Sequence, residues 1–313
     1  MAEITGQLLK QMITESYNRI DKKKAYLNDL NVFPVPDGDT GLNMSITMGK
    51  VVEELEKQDN SSLSIKTAAK AIAKGAFVGA KGNSGVILSQ FFVGFAKTIE
   101  NETQITPTIF ADALIEGSKR AYKAVMNPKE GTILTVVKET AEAAKSKVAE
   151  GADWREIVEY CYEIAQKATA DTPNLLEDLK AAGVIDAGAL GFVYLIQGWL
   201  VVITNNLEGP QVINLHAGLE GLHNKVQAGD SVEHLAYQYC TEALINQTSA
   251  TEDQIRKKLA DLGDSLLVIK EADAIKLHIH ANHPKQAITT LASFGNLAAA
   301  KIDDMKAQTL QSH

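Results

Sequence analysis

From its start to about residue 205, the chain repeats apolar residues at the three- and four-residue spacing of amphipathic helices. The sequence also carries helix-start signals at Thr106-Pro107, Gly131-Thr132 and Asp153. The apolar stripes predict helices over 8–20, 46–57, 64–76, 86–95, 154–168, 175–179 and 187–203. Alternating strand patterns are nearly absent from this part of the chain. Residues 1–205 are therefore predicted to form an all-α domain.

The pattern changes after residue 205. Residues 206–230 contain Gly209-Pro210 and show little periodicity, so they are predicted to be a linker region. From 231 to 313 the predicted elements follow the order β-α-β-β-α-β, which is that of a ferredoxin-like sandwich. The strands are predicted at 235–245, 265–269, 274–280 and 297–302, and the helices follow Thr251 and begin at Pro284. This second unit is predicted to be a small α+β domain, in a fold that says little about function.

Composition excludes several classes of protein. The net charge is -8 and no long Lys/Arg stripe offsets it, which argues against general nucleic-acid binding. Cys161 and Cys240 lie far apart and form no CxxC pair, so a disulfide framework is not expected. Residues 1–11 lack the regions of a signal peptide, and the apolar run 187–203 contains Gln197 and several glycines. We therefore predict a cytoplasmic enzyme with no transmembrane segment.

Two carboxylates, Asp37 and Asp39, mark the first candidate site. They lie in a proline-stiffened loop that leads into a helix. One interpretation is that they cap this helix, but a cap needs only one carboxylate. The alternative is a magnesium-bridged polyphosphate site, in which the carboxylates hold the cation and the backbone amides of Thr40 and Gly41 face the phosphate oxygens. The second carboxylate favours a nucleotide–Mg²⁺ site.

A glycine-rich segment over residues 79–85 forms a second candidate site. Ser84 and the amides near Gly82 and Gly85 lie where a further helix begins, a position that suits phosphate oxygens. A glycine-rich helix end is weak evidence alone and gains weight beside the acidic loop. The chain has no GxxxxGK[ST] loop, no GxGxxG opening a βαβ unit and no protein-kinase HRD or DFG set. Phosphoryl transfer on a helical scaffold is nevertheless feasible, because it needs mainly positioning and charge neutralisation.

Four segments together resemble the nucleotide-binding subunit of dihydroxyacetone kinase, namely 37–44, 79–85, 131–132 and 186–189. The longer form Asn-Val-Phe-Pro-Val-Pro-Asp-Gly-Asp-Thr-Gly, followed by a second domain, is similar to bacterial fatty acid kinase. The resemblance covers roughly residues 5–203. It implies a helical barrel that binds ATP or ADP and two Mg²⁺ ions at one end.

The resemblance also implies roles for individual residues. Asp37 and Asp39 would be the catalytic metal ligands. The dihydroxyacetone kinase pattern has a third metal-binding Asp before this pair, and Asn31 is the nearest match here. A neutral amide is a weaker ligand than a carboxylate, so the identity of the third ligand stays open. The positions that match the nucleotide site are Thr40, Gly41, Asn43, Gly82, Asn83, Ser84, Gly85, Thr132, Asp186 and Gly188.

In fatty acid kinases the acceptor would be a fatty acid presented by a separate DegV-like binding protein, and the product an acyl phosphate for phospholipid synthesis. A carboxylate acceptor is already ionised at neutral pH, so no general base is required. The family also implies a homodimer, and a chain truncated before a further C-terminal domain. Two alternatives stay open: a dihydroxyacetone-type small-molecule kinase subunit, and a nucleotide-sensing scaffold without turnover.

A second metal site is predicted in the small domain. His278 and His280 alternate along one strand and so project from the same face. Cys240 lies on the first strand, which neighbours the third in a β-α-β-β-α-β sheet. A thiolate and two imidazoles suit Zn²⁺, and we expect a structural ion because the phosphate loops belong to the other domain. The alternative is that the two histidines are polar residues on a solvated or interface face.

Overall fold

The computed structural model describes residues 3–59, 63–206 and 236–307. Its first part is helical, which confirms the all-α prediction. The helices of this part are α1 (Gly6–Asp29), α2 (Thr40–Glu56), α3 (Ile65–Gly79), α4 (Gly82–Ile99), α5 (Pro107–Ala124), α6 (Ile133–Ala149), α7 (Trp154–Ala170), α8 (Thr172–Leu175), α9 (Glu177–Ala182) and α10 (Ala187–Thr204). The predicted linker 206–230 lies outside the described residues, apart from residue 206.

Side chains close to the predicted start signals cap the helices. Thr106 and Ser64 accept hydrogen bonds from backbone amides of the first turns of α5 and α3. Asp153 forms a capping box with Glu156 at the start of α7. The predicted helix over 175–179 is instead two short helices, because Leu176 adopts extended backbone between α8 and α9.

The helices close into a barrel. Each of α1 to α7 packs against the next in the chain, and α10 packs against both α7 and α1, so that the described helices form a closed ring. Buried rings of Phe91, Phe95, Phe110 and Trp199 contact one another edge-to-face or tilted inside it. A Cβ at Gly198 would lie 2.5 Å from the Ser16 backbone nitrogen, so glycine lets α1 and α10 approach closely.

Helix α10 is apolar enough and long enough to cross a membrane, judged by length and composition. In the folded barrel, 89% of that 18-residue window is buried against other helices. It is therefore a buried helix of the first domain's core, as its composition predicts.

The second domain contains β1 (Tyr239–Asn246), α11 (Glu252–Leu259), β2 (Gly263–Glu271), β3 (Ala274–Ala281), α12 (Pro284–Ala292) and β4 (Asn296–Asp304). Its sheet has the strand order β2-β3-β1-β4 and its neighbouring strands are antiparallel. The predicted order of elements is confirmed, as is the prediction that β1 and β3 are neighbours. The first strand begins at Tyr239 rather than at the predicted residue 235, which lies outside the described residues.

The two faces of this sheet have different partners. Alternate residues of β1, β2 and β3 pack against α11 and α12 and form the domain's own core, including Ala243, Val268 and Leu277. The opposite face turns to the helical barrel. There Leu244, Leu267 and Ile269 form one apolar cluster with Phe77, Ala80, Val86 and Ala124 of the first domain. The sheet therefore joins the two domains through a buried contact.

Candidate functional site between the two domains

The acidic loop ends at the N-terminus of α2. Asp39 occupies the N-cap position, but its side chain makes no capping hydrogen bond to the helix. The backbone at Gly38 has a φ of 66°, a conformation that favours glycine and sets the two carboxylates side by side. The Leu42 amide in the first turn of α2 donates instead to Asn28 Oδ1 of α1 over 3.1 Å, so the capping interpretation of Asp39 does not describe this geometry.

The two carboxylates interact with each other. Burial raises the pKa of the half-buried Asp37 well above its usual range, and the neighbouring Asp39 raises it further through its charge and a shared hydrogen bond. The charge of Cys240 acts in the same direction, whereas His278 opposes it. Paired carboxylates in such a cleft are stabilised as anions by a bound cation.

Asn31 holds the loop together. Its side-chain nitrogen donates to the Val35 carbonyl over 2.6 Å and to Asp37 Oδ1 over 3.3 Å. Its side-chain oxygen accepts a hydrogen bond from the Thr40 hydroxyl. Asn31 therefore orients both Asp37 and the first residue of α2, while its role as a metal ligand stays a prediction.

The glycine loop lies directly beside the acidic loop. Ser84 Oγ is 3.3 Å from Thr40 Oγ1, which connects the first turns of α4 and α2. Gly82 has a φ of 58°, and a Cβ there would lie 2.1 Å from Asn43 Nδ2. Lys81 occupies the N-cap position of α4 and also makes no side-chain cap. The first turns of α2 and α4 therefore meet at the acidic pair, and neither is capped by its own N-cap residue, an arrangement that suits a polyphosphate.

A cavity of about 320 Å³ continues from these loops. Predicted nucleotide-site residues line it together: Thr40, Asn83, Ser84, Thr132, Asp186 and Gly188. An adjoining narrow cleft is lined by Asn31, Asp37, Asp39, Thr40, Gly82, Asn83, Ser84, Cys240, His278 and His280, among others. Because Thr40, Asn83 and Ser84 line both spaces, the cavity and the cleft form one continuous candidate site.

At the far end of this cavity, Asp186 joins the starts of α6 and α10. Its carboxylate accepts hydrogen bonds from the backbone amides of Ala189 over 2.7 Å and Ile133 over 3.0 Å, at the starts of α10 and α6. Burial raises its pKa to about 6, although these amide hydrogen bonds act in the opposite direction. Thr132 caps α6, because its hydroxyl accepts from the Leu134 amide.

Three predicted nucleotide-site residues line neither space. A Cβ at Gly41 would lie 2.1 Å from the Lys24 carbonyl oxygen, and one at Gly85 would lie 2.4 Å from Thr47 Oγ1. Asn43 is buried against Gly82. In this structure these residues let α1, α2 and the glycine loop pack closely, and their contact with a nucleotide stays a prediction.

The cysteine and the two histidines of the second domain converge as predicted. Their ligand atoms all lie within 4.8 Å of one another. Cys240 Sγ is 3.7 Å from His278 Nδ1, and the Nε2 atoms of His278 and His280 are 3.2 Å apart. Both imidazoles are almost fully buried.

The expectation that this cluster stands apart from the phosphate loops is wrong. Cys240, His278 and His280 line the same cleft as Asp37 and Asp39. The cause is the docking of the sheet, whose outward face turns these side chains toward the barrel. Membership in a different domain is therefore no longer a reason to give the cluster a purely structural role.

The groups of this cluster change one another's pKa values. Burial alone would raise the pKa of the Cys240 thiol, but His278 outweighs it and lowers the pKa to about 7. Burial acts against a charged His278, yet Cys240 and Glu242 raise the pKa of this imidazole to about 10. Burial would likewise raise the pKa of Glu242, but His278 and the Gly82 amide lower it to about 2. The thiol, the imidazole and the carboxylate thus shift one another's pKa values toward their charged forms.

Sequence patterns pointed to only part of this site. Glu242 and Lys276 were not among the predicted site residues, although a signal for them was present. Glu242 lies two residues from Cys240, and Lys276 lies two residues from His278, so strand alternation places both on the cluster's face. Residues 263–267 of β2 form a wall of the large cavity. This wall contains an irregular register and a Ser265 φ of 50°, features of the folded backbone that the composition of the strand does not indicate.

Two protein families match the chain. Residues 34–201 match the DAK2 domain. Residues 236–312 match the FakA-like middle domain of fatty acid kinases. Two solved forms of dihydroxyacetone kinase from C. freundii, one in complex with AMP-PNP and Mg²⁺ and one native, are 16% and 17% identical, with TM-scores of 0.48 and 0.47. Each alignment covers 64% of this chain. It covers 34% of the kinase chain in the AMP-PNP complex and 35% of the kinase chain in the native form.

Uncharacterized proteins of Staphylococcus aureus, from strains bovine RF122 / ET3-1 and MRSA252, are each 37% identical over 314 aligned residues. The alignments cover 98% of this chain and 57% of each relative. The chain therefore spans little more than half the length of the curated relatives it matches.

Replacing the buried Asp186 is expected to change how stability depends on pH. A folded pKa of about 6 against an ordinary 3.8 means that the folded state keeps a proton that the unfolded chain releases. The unfolding free energy of the wild type should therefore fall by about 3 kcal/mol, relative to Asp186→Asn, as pH rises from 3 to 7. Urea unfolding across this range measures the difference. Asp112→Asn on an exposed part of α5 is the control for losing one charge, and parallel profiles for wild type and Asp186→Asn would contradict the prediction.

Proposed function

The chain belongs to the DAK2 domain family and carries the FakA-like middle domain of fatty acid kinases; from this premise we propose that it is an ATP- and Mg²⁺-dependent kinase subunit that phosphorylates a fatty acid carboxylate. A separate DegV-like protein holds the fatty acid, and the product is an acyl phosphate for phospholipid synthesis. The DAK2 domain supports the kinase assignment, whereas the acceptor and the partner are our proposals.

The observation that carries the proposal is the meeting of two helix N-termini at a pair of carboxylates. Asp37 and Asp39 offer the oxygen ligands that Mg²⁺ prefers, and the first turns of α2 and α4 offer amides and the Ser84 hydroxyl. Bound Mg²⁺ would neutralise phosphate charge and bring the anions together. The protein's part is to hold these donors in fixed positions, which Asn31 and the close packing at Gly82 do.

The larger cavity suits the nucleoside part of ATP. It opens directly from the loops that would hold the phosphates, and its walls are mostly apolar with a few polar groups from Thr132 and Asp186. The C. freundii dihydroxyacetone kinase was solved with AMP-PNP and Mg²⁺, and we propose the same class of ligand here.

A carboxylate acceptor fits the chemistry of the cleft. It is already an anion at neutral pH and needs no general base, so the obstacle is repulsion between acceptor and nucleotide. His278 lines the same cleft as Asp37; its protonated form would supply positive charge there in a metal-free cluster, and bound Zn²⁺ would supply it instead when the cluster holds metal. A homodimer and a cytoplasmic location stay predictions.

We also propose that Cys240, His278 and His280 bind Zn²⁺. Two nitrogens bound to one tetrahedral Zn²⁺ at about 2.0–2.1 Å lie about 3.3 Å apart, and the two Nε2 atoms are 3.2 Å apart. The Nδ1 atoms face carboxylates, with His278 3.7 Å from Glu242 and His280 3.5 Å from Asp264. Carboxylates in this position commonly orient metal-binding histidines.

Removing either acidic side chain should abolish Mg²⁺-dependent ATP binding. Asp37→Asn and Asp39→Asn keep the loop's size but replace a metal-binding carboxylate by an amide, and we expect ATP affinity to fall at least 100-fold in calorimetry with Mg²⁺ present. Circular dichroism should remain that of the wild type, because neither residue belongs to the core. Asp29→Asn, on an exposed residue of α1, is the matched control. Unchanged affinity in both variants would refute the assignment.

Acyl phosphate formation tests the whole function. Incubated with Mg²⁺-ATP and a fatty-acid-loaded DegV-like protein, the chain should form acyl phosphate, detected as hydroxamate after hydroxylamine treatment. Because the chain spans 57% of its relatives' length, a longer relative is assayed in parallel. Phosphorylation of free dihydroxyacetone instead would favour a small-molecule kinase. ATP binding without transfer by either protein would favour a nucleotide-sensing scaffold.

Zinc analysis of protein purified without a histidine tag tests the second metal. We expect about one zinc per chain in the wild type, and loss of at least 90% of it in Cys240→Ser and His280→Ala, because each variant removes one of only three ligands. His283→Ala is the matched control, since His283 is exposed just beyond β3 and lies outside the cluster. A wild type without zinc would show that thiol and imidazoles act without a metal.

A further inference from the structure

The turn between α3 and α4 presents opposite ends of two helices within a few residues. α3 ends at Gly79 and α4 begins at Gly82. The last carbonyls of a helix carry partial negative charge, and the first amides carry partial positive charge. A surface that docks on this turn is therefore stabilised by a cation near residues 78–80 and by an anion near Gly82.

The sheet of the second domain supplies both charges in this order. Lys276 Nζ donates hydrogen bonds to the carbonyls of Ala80 and, over 3.3 Å, Val78. Glu242 Oε1 accepts a hydrogen bond from the Gly82 amide over 2.7 Å. Hydrogen bonds with a charged partner are stronger than neutral ones, and these join residues about 160 to 200 positions apart in sequence.

The pairing of β1 and β3 explains why the two charges fit one turn. Glu242 lies opposite His278 and Leu244 lies opposite Lys276, so that Glu242 and Lys276 are diagonal neighbours on the face toward the barrel. Leu244 packs between the domains beside them. The charged contacts are thus bordered by apolar surface, which limits their exposure to water.

The carboxylate of Glu242 also contacts the Cys/His cluster. Its Oε1 atom, which accepts from Gly82, is 3.7 Å from His278 Nδ1. Gly82 is in turn fixed against α2, because no room for a Cβ remains beside Asn43. An unbroken series of contacts therefore leads from the cluster, through Glu242, to the loop that bears Ser84.

We propose that Glu242 and Lys276 are positioning residues that dock the second domain on the α3–α4 turn and thereby hold His278 opposite Asp37. Their effect on phosphoryl transfer rests on the proposed function, whereas the docking does not. A rival explanation is that the Glu242 carboxylate blocks an amide meant for a phosphate oxygen. The two explanations predict opposite effects of Glu242 on nucleotide affinity.

Hydrogen exchange of the full chain tests the docking. The reporter peptides cover Val125 and Leu267, where the two domains share an isolated β-bridge that neither Glu242 nor Lys276 forms. Glu242→Ala and Lys276→Met should each raise exchange there at least tenfold. Glu242→Gln should remain within threefold of the wild type, because its amide oxygen still accepts from Gly82. Lys97→Gln, which breaks the more exposed Lys97–Glu271 pair across the same interface, should also remain within threefold.

Nucleotide affinity and kinetics separate docking from blocking. Mg²⁺-ATP affinity of Glu242→Ala should be equal to or weaker than that of the wild type, and kcat should fall at least tenfold with the KM for ATP changed less than threefold. Tighter nucleotide binding by Glu242→Ala, or wild-type exchange in both Glu242→Ala and Lys276→Met, would overturn the proposal. If the wild type shows no transfer, the proposed function fails while exchange still tests the docking.

Discussion

The candidate site depends on one electrostatic constraint, the placing of Asp37 and Asp39 side by side in a half-buried cleft. Two neighbouring carboxylates repel each other when both are ionised, and burial raises the free energy of their ionised forms. The fold places the first turns of α2 and α4 beside the pair, and His278 lines the same cleft and opposes the rise in the pKa of Asp37. A divalent cation would complete this balance, which is why we propose that the same geometry binds both a metal and a polyphosphate.

The helical barrel makes this arrangement rigid. Because α10 closes the ring between α7 and α1, the helix N-termini at the site are fixed by a core rather than by loops. Asp186 extends this principle, since one carboxylate binds the first turns of both α6 and α10. The cavity is thus bounded on several sides by the starts of helices, namely those of α2, α4, α6 and α10.

Apolar spacing and capping residues predicted most helices of the barrel, and alternation along β3 predicted the convergence of His278 and His280 with Cys240. These signals are local, or follow from a known strand order. The docking of the second domain was not predictable in the same way. Lys276 and Glu242 contact backbone carbonyls and an amide of residues 78–82, and a backbone group has no letter in the sequence. The domain assignment alone therefore led to a wrong expectation about the cluster's surroundings.

Strand alternation also explains how so small a domain can serve both stability and chemistry. On β1 and β3 one set of alternate residues fills the domain's own core beneath α11 and α12, and that core is complete without the barrel. The other set of alternate residues is not part of this core. It includes Cys240, Glu242, Lys276, His278 and His280. Where this face meets the barrel, Glu242 and Lys276 bond to the turn between α3 and α4, whereas Cys240 and His278 contact each other within the sheet. Docking and the chemistry of the cleft are therefore two results of the same alternation, and a change on this face acts on both.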